Sequence, residues 1–295
     1  MALIGSAHAA ERGLIADENG CRFVNPNPKA GETIAWTGAC RDGWGEGPGT
    51  LQWTIDGTPG AHFVGTLAHG QPSGQGSERF SNGNRYEGPY VDGQPDGHGV
   101  YTWTNGDRYE GRFSGGRRPG PGVFTTITGL RYEGRFEQDD MNGRGVVSMA
   151  GGTRLEGTFR LGVLDEPGVL FVTQPSGERR LQVDTTEPLL PDVPAVSASA
   201  PGAPHADIGA RCGPSYPPVA LRQHASGFTK IALLVDPSGQ VRRIRMIHPS
   251  GSDLAHQSLD LAALVAAVNC PIVPGTVGGR PASRWLPLRF EWRLE

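Results

Sequence analysis

The sequence predicts a mainly β chain that ends in a small α+β domain. Three observations carry this. Gly (45 of 295 residues) and Pro (25) are abundant, and neither suits long helices. One glycine pattern recurs at a fixed period through the first half. After a Pro/Ala/Ser-rich stretch, the C-terminal part reads as two alternating strands, one helical stripe and a last strand. Charged residues are only 19%, which does not fit a charge-driven disordered chain. The net charge of −3 speaks against general nucleic-acid binding, so no nucleic-acid partner is expected. No apolar run reaches the ~18 residues of a membrane helix.

Residues 1–10, MALIGSAHAA, contain Ala7-His8-Ala9, the small-x-small pattern of a signal-peptide cleavage site. The apolar part is short and no basic stretch precedes it. The segment therefore reads either as the end of an export signal or as an ordinary terminus. Residues 11–35 are expected to form an N-terminal cap closed by a disulfide. The four cysteines fall into two local pairs, Cys21 with Cys40 and Cys212 with Cys270. In an exported chain such even pairs read as disulfides, and in a cytosolic one as buried thiols. The disulfide reading is preferred, and with it a periplasmic location. None of the four forms a CxxC, and no His stands at zinc-finger spacing, so no metal site is expected.

Residues 36–182 are organised by a repeat. Gly65, Gly88, Gly111, Gly134 and Gly157 stand 23 residues apart. Nine residues after the first four come Gly74, Gly97, Gly120 and Gly143. Eleven residues after all five come Gly76, Gly99, Gly122, Gly145 and Gly168. An earlier copy starts at Gly38, and in the last copy Glu166 replaces the middle glycine, giving six copies. Two residues before the first glycine stand Trp36, Phe63, Tyr86, Tyr109, Tyr132 and Leu155. Two residues after it stand Cys40, Leu67, Tyr90, Phe113, Phe136 and Phe159. That alternation has the period of a strand. A second strand follows each GxG, and pairs such as Asn82-Gly83 and Asn105-Gly106 close the hairpin. A lone hairpin cannot bury its own apolar face, so neighbours must share it along a continuous sheet. Glu87, Glu110, Glu133 and Glu156 each follow an Arg by two residues. This reads as a charge-paired outer face, with a cation-binding ladder as the alternative.

Tyr86-Glu87-Gly88, Tyr109-Glu110-Gly111 and Tyr132-Glu133-Gly134, each followed by GxG, resemble the MORN repeat. The signature residues are Tyr86, Gly88, Gly97, Gly99, Tyr109, Gly111, Gly120, Gly122, Tyr132, Gly134, Gly143 and Gly145. The resemblance covers about residues 36–175. It implies an elongated single-layer antiparallel sheet that offers a surface, not a reaction. Scaffolding, dimerisation and membrane association are the roles it brings, with lipid as a second class of ligand. The end strands of such a sheet also expose edges that invite homodimer pairing.

Residues 183–210 lack periodicity and read as a linker. In residues 211–295, Phe228–Asp236 alternates, Asp236-Pro237-Ser238-Gly239 makes a turn, and Val241–Ile247 forms a second strand. Ser252 is the expected N-cap of a helix reaching about Asn269, with Leu254, Leu261, Leu264, Val265 and Val268 as its stripe. In the last strand Leu286, Leu288, Phe290, Trp292 and Leu294 share a face. The order β-β-α-β is an open α+β sandwich.

This segment resembles the C-terminal domain of TonB-like proteins. Its landmarks are Tyr216-Pro217, Ala220-Leu221-Arg222, Gly227, Val235-Asp236-Pro237-Ser238-Gly239-Gln240-Val241, Ser250-Gly251, Pro274 and Gly279-Arg280-Pro281. The resemblance implies a periplasmic domain that adds a short peptide of an outer-membrane receptor to an edge strand, the backbone supplying affinity. The candidate edge residues are Trp285, Leu286, Arg289, Glu291 and Arg293. Pro287 marks this strand as an edge with one donor fewer. Asn269-Cys270-Pro271-Ile272 stands where the family has an aromatic-rich stretch.

No HExxH or GxSxG occurs, and the eight His are scattered. Ser250, Asp253 and His256 read as helix-capping groups, and Asp139-Asp140 as a solvated turn. No catalytic residue and no cofactor are expected. The leading expectation is a non-enzymatic scaffold or adaptor in the periplasm of a Gram-negative bacterium, binding a protein or peptide of the envelope. The alternatives are a soluble TonB-type accessory in outer-membrane transport and an envelope hydrolase, the latter without a motif.

Overall fold

The computed structural model describes residues 13–26, 28–149, 151–174, 177–185, 203, 205–206 and 213–294. Residues 1–10, with their signal-like pattern, lie outside these. The chain divides into two compact units, Met1–Pro119 and Gly120–Glu295.

Among the described residues the regular elements of the first unit are all strands. It begins with β1 (Leu14–Ala16), β2 (Arg22–Val24), β3 (Glu32–Trp36) and β4 (Ala39–Arg41). There follow β5 (Trp44–Ile55), β6 (Thr58–Ala68), β7 (Gln71–Arg79) and β8 (Arg85–Val91). It closes with β9 (Gln94–Pro95), β10 (Gly97–Thr102) and β11 (Arg108–Phe113). The second unit continues with β12 (Gly120–Thr125), β13 (Arg131–Glu137), β14 (Asp140–Ser148) and β15 (Arg154–Arg160). Next come β16 (Val163–Leu164), β17 (Gly168–Gln174), β18 (Gly177–Asp184) and β19 (His205–Ala206). The C-terminal part adds α1 (Pro218–Arg222), β20 (Gly227–Val235), β21 (Val241–His248) and α2 (Leu254–Asn269). Last are β22 (Ile272–Val273), β23 (Thr276–Val277), β24 (Arg280–Pro281) and β25 (Arg284–Trp292). The protein is mainly β, as the glycine and proline content implies.

The repeat glycines face one another across the strands. In the first unit Gly49 pairs Gly65, Gly65 pairs Gly76, Gly76 pairs Gly88, and Gly99 pairs Gly111. In the second, Gly122 pairs Gly134, Gly134 pairs Gly145, and Gly145 pairs Gly157. The reason is the aromatic residue two positions earlier. A Cβ at Gly88 would lie 2.4 Å from the Tyr86 hydroxyl, and one at Gly99 2.5 Å from the same atom. Gly134 and Gly145 meet Tyr132 in the same way, at 2.4 and 2.5 Å. Each ring lies flat over a bare patch of two facing glycines. Tyr86, Tyr109 and Tyr132 are all 0% exposed. Their hydroxyls donate to the carbonyls of Pro89 (3.1 Å), Arg112 (3.2 Å) and Arg135 (3.0 Å). The rings then meet the next aromatic edge to face, Tyr86 with Phe113 at 4.9 Å and Tyr132 with Phe159 at 5.6 Å.

The N-terminal segment caps the first hairpins. Cys21 and Cys40 form the expected disulfide, with Cα atoms 5.7 Å apart. Phe23 is 1% exposed, and a Cβ at Gly45 would lie 2.2 Å from its ring. Val24 N–H donates to Gly70 O at 3.2 Å, and Arg22 lies over the Trp44 ring at 4.4 Å.

In the second unit the sheet does not end with the repeats. β18 pairs in parallel with β21, Gln182 with Arg243, Val183 with Ile244 and Asp184 with Arg245. Arg243 donates to the Asp184 carboxylate at 2.7 Å, and Arg179 donates to Val241 O. Gly162, in the turn after β15, would drive a Cβ to 1.6 Å from Ser252 O. The strand order onward is β18-β21-β20-β25. Val183 and Asp184, read from sequence as the start of the linker, are strand residues of this ladder. His205–Ala206 pairs with β22; most of the remaining linker lies outside the described residues.

α2 packs on this C-terminal sheet and is buried almost all round, including Leu259, Leu261, Ala263, Leu264, Ala267 and Val268. The expected stripe members Leu254 and Val265 are only half-buried. The N-cap is Asp253, not Ser252: its carboxylate accepts from His256 N–H at 2.9 Å. The short helix α1 was not legible as a separate element, being one turn that opens on two prolines. Leu294, expected on the buried face of the last strand, is 39% exposed beyond its end. Cys270 is disulfide-bonded; Cys212, its expected partner, lies outside the described residues.

Two outcomes follow for stability. Gly88→Ala forces Tyr86 off its seat and is expected to cost about 1–3 kcal/mol in urea unfolding; an unchanged midpoint would contradict the ring-on-glycine packing. Replacing Cys21 and Cys40 together by Ser is expected to cost about 3 kcal/mol by the chain-entropy account, read from the same unfolding curves.

Candidate functional site

β20 is the centre of the C-terminal sheet and β25 its open side. Among the described residues β25 pairs only with β20, over the full register Gly227–Val235 against Trp292–Arg284. The opposite edge, β21, is taken by β18. The same contact takes the edge that the last repeat strand offers over Gln182–Asp184, where sequence left room for homodimer pairing. Pro287 sits opposite Ala232 with no register shift. Proline in a sheet turns its missing donor outward. Trp285, Arg289 and Glu291 share its parity, so their backbone N–H and C=O groups face the open edge.

The side chains of the candidate residues divide. Leu286 is 3% exposed and belongs to the core with Phe290 and Trp292; only its backbone lies near the edge. Trp285 stacks under the Arg245 guanidinium at 5.2 Å. Arg289 lies over Phe228 at 4.3 Å, and Phe228 stacks on His248 at 4.4 Å. Arg289 and Arg293 both pair with Glu291, Arg289 at 3.5 Å. These three rim the strand end, with Arg293 just past it. The sheet face away from α2 is therefore cationic and aromatic at its edge.

A buried polar chain fixes β25 in place, and sequence reading missed it. Trp292 Nε1–H donates to Thr229 Oγ1 at 2.9 Å, and that hydroxyl donates to Asp260 Oδ1 at 2.6 Å. Ser250 N–H donates to the same oxygen at 2.9 Å. One carboxylate thus ties β25, β20, α2 and the loop after β21. Burial raises the Asp260 carboxyl to about 6 against the hydrogen bonds that favour its charge. The available signal was a single Asp between Leu259 and Leu261 inside an apolar helix run. The turn between β20 and β21 has the opposite character. There Asp236 accepts from the Ser238 hydroxyl at 2.6 Å, with Arg242 beside it, and its carboxyl is held well below the usual range.

Ser250, Asp253 and His256 do come together. Ser250 Oγ–H donates to the backbone carbonyl of His256 at 2.9 Å, while the His256 ring lies 2.8 Å from Asp253. The hydroxyl is not held by the ring, so the group caps a helix and does not form a nucleophile–base pair. Asp139 lies in the β13–β14 turn and Asp140 opens β14, both exposed.

On the repeats the Arg–Glu pairs form as expected. Arg108 meets Glu110 at 2.8 Å, Arg131 meets Glu133 at 2.5 Å, and Arg154 meets both Glu156 (2.9 Å) and Glu178 (2.5 Å). Arg85 pairs with Glu87. These are exposed pairs that contribute little stability each, and they consume the carboxylates a cation ladder would need. Among the described residues no group of three or more His, Cys, Asp or Glu is placed to hold a metal. One repeat departs from the rest on the aromatic face. Tyr90, where the three following copies carry Phe, donates to Glu78 at 2.9 Å, and burial raises the Glu78 carboxyl.

Comparison with known proteins agrees with this architecture. Residues 213–294 match the family described as Gram-negative bacterial TonB protein C-terminal. Residues 63–85, 86–108, 109–131 and 132–154 match the MORN repeat. The chain carries MORN repeats followed by a TonB C-terminal domain. No curated protein matches it. Among solved structures, the chain is similar to the SAS-4 (dCPAP) TCP domain of Drosophila melanogaster, in complex with a proline-rich motif of Ana2 (dSTIL). The identity is 15% and the TM-score 0.31, over 63% of this chain and 97% of that one. Among the described residues no helix is long and apolar enough to cross a membrane.

The Asp260 chain has a pH signature. Its folded value lies above that of an unfolded aspartate. The stabilisation it offers is complete below pH ~4 and lost as pH rises through about 6. Asp260→Asn keeps an acceptor for Thr229 and Ser250 but cannot ionise. Its urea stability is expected to fall less between pH 4.5 and 7.5 than that of the wild type; parallel pH profiles would contradict the assignment. Glu78 shifts in the same direction, so the variant removes only part of the slope.

Proposed function

We propose that this chain, MORN repeats joined to a TonB C-terminal domain, is a non-enzymatic adaptor of the Gram-negative periplasm. Its C-terminal sheet takes an extended segment of another envelope protein along β25, and its repeats hold that sheet in place. The observation that carries this reading is the asymmetry of the two sheet edges: β21 is filled by β18, whereas β25 has no second neighbour among the described residues.

Strand addition needs unpaired backbone groups on a rigid edge, with side chains to select the guest. β25 meets both needs. Its outward amides are ordered by a complete ladder to β20, and Trp292 is anchored through Thr229 to Asp260. Trp285, Arg289 and Glu291 supply an aromatic surface and charges of both signs for selection. The Cys21–Cys40 disulfide supports an oxidising compartment, and the TonB match supports the envelope.

A second reading, a soluble accessory in outer-membrane transport, is favoured by the same TonB match and differs only in the guest. The test is a photo-crosslinking residue at Glu291 in the tagged, exported protein, activated in intact cells and followed by mass spectrometry. The adaptor reading expects crosslinks to an envelope protein that disappear when Arg289→Pro removes an outward donor without touching the β20 ladder. An outer-membrane receptor among them selects the transport reading. Crosslinks that survive Arg289→Pro, or none at all with folded protein, contradict strand addition at β25.

A further inference from the structure

The repeat array breaks its own rule at one position. On the face opposite the aromatic rings, one row of residues runs across the strands of the first unit. Register places His62 opposite Arg79, Arg79 opposite Arg85, Arg85 opposite Thr102, and Thr102 opposite Arg108. The position taken by Arg79 holds Thr102, Thr125 and Ser148 in the following copies. In those copies a small hydroxyl stands beside each arginine, and in the last copy Phe171 separates Arg154 from Arg180. At Arg79 alone, three cationic or basic side chains stand on adjacent strands with no spacer.

This arrangement works against folding. Like charges directly opposite in a sheet destabilise it. Glu87 offsets Arg85 only, and Glu78 turns to the other face, where Tyr90 holds it. Among the described residues the Arg79 side chain has no ion pair and no hydrogen bond, and neither has His62. The row is also not flat. His62, Val64, Ser77, Arg79, Arg85, Thr102 and Trp103 line an open groove of about 510 Å³, within the usual size of small-ligand sites.

We propose that this groove binds a small organic oxyanion, a carboxylate or phosphate monoester carried on an apolar or aromatic body. The Arg79 guanidinium is exposed and unpaired, and presents the donor fork that matches two oxygens of such a group. His62 and Arg85 flank it, and the hydroxyls of Ser77 and Thr102 add donors. Val64, 46% exposed, gives the apolar wall; Trp103 borders the groove at the strand end, its ring packed on Tyr101 on the other face. The anion relieves the like-charge row, so binding and stability are coupled. This site is independent of the β25 edge and does not rest on the adaptor reading.

The test uses the full chain, titrated calorimetrically with benzoate and with phenyl phosphate at low and at 150 mM salt. The comparison is Arg79→Thr, which installs the residue that the array itself carries at 102 and 125. The variant is expected to fold with an equal or higher Tm and to bind at least tenfold more weakly. A preference between the two probes identifies the anion. Absence of saturable binding to both at millimolar concentration, or equal affinity in wild type and Arg79→Thr, overturns the proposal.

Discussion

The architecture depends on an aromatic ring laid flat on two facing glycines. A single-layer sheet has no second layer to bury its side chains, so the repeat makes its core within its own thickness. Tyr86 covers Gly88 and Gly99, Tyr132 covers Gly134 and Gly145, and Trp36 covers Gly38 and Gly49 in the first copy. A side chain at any of these glycines would take the volume of the ring. The hydroxyl of each tyrosine then reaches a carbonyl three residues on, which satisfies the one polar atom that the packing buries. This explains why glycine and aromatic positions share one period: each is the condition for the other.

The same sheet organises the C-terminal domain. β18 extends the repeats by one more strand and pairs with β21, so one side of the C-terminal sheet is closed by the chain itself. The Asp184–Arg243 contact and the bare Gly162 against Ser252 fasten that junction. On the opposite side, β25 has no second neighbour among the described residues. The proposed adaptor function is the consequence of that division: repeats on one edge, a guest on the other, and the Trp292–Thr229–Asp260 chain holding the central strands between them.

Much of this was legible in the sequence because it follows from short-range rules. A 23-residue period of glycines and aromatics specifies strands, register and the buried face together. The Cys21–Cys40 bridge joins residues at the two ends of one short segment. Alternation in Phe228–Asp236 and Val241–Ile247 marked two strands. What escaped were contacts between distant residues. Nothing local in Gln182–Asp184 says that it will pair with Arg243–Arg245, since parallel pairing has no turn to announce it. Asp260 stands alone in an apolar helix run, and its role needed Thr229 and Trp292 beside it. Ser252 and Asp253 are both good caps, and only the geometry chose the second. Pro287 reads as the mark of an edge strand, and among the described residues β25 has β20 as its one neighbour; the burial of Leu286 followed from the strand's parity once paired.

The repeat sheet closes β21, and among the described residues β25 keeps β20 as its one neighbour. Residue-resolved amide hydrogen exchange on the full chain tests it directly. The account predicts slow exchange along β21, including Arg243 to Arg245. It predicts fast exchange at the outward amides of Trp285, Arg289 and Glu291, beside slow exchange at their inward neighbours. Fast exchange throughout β21, or uniform protection along β25 in the protein alone, would contradict it.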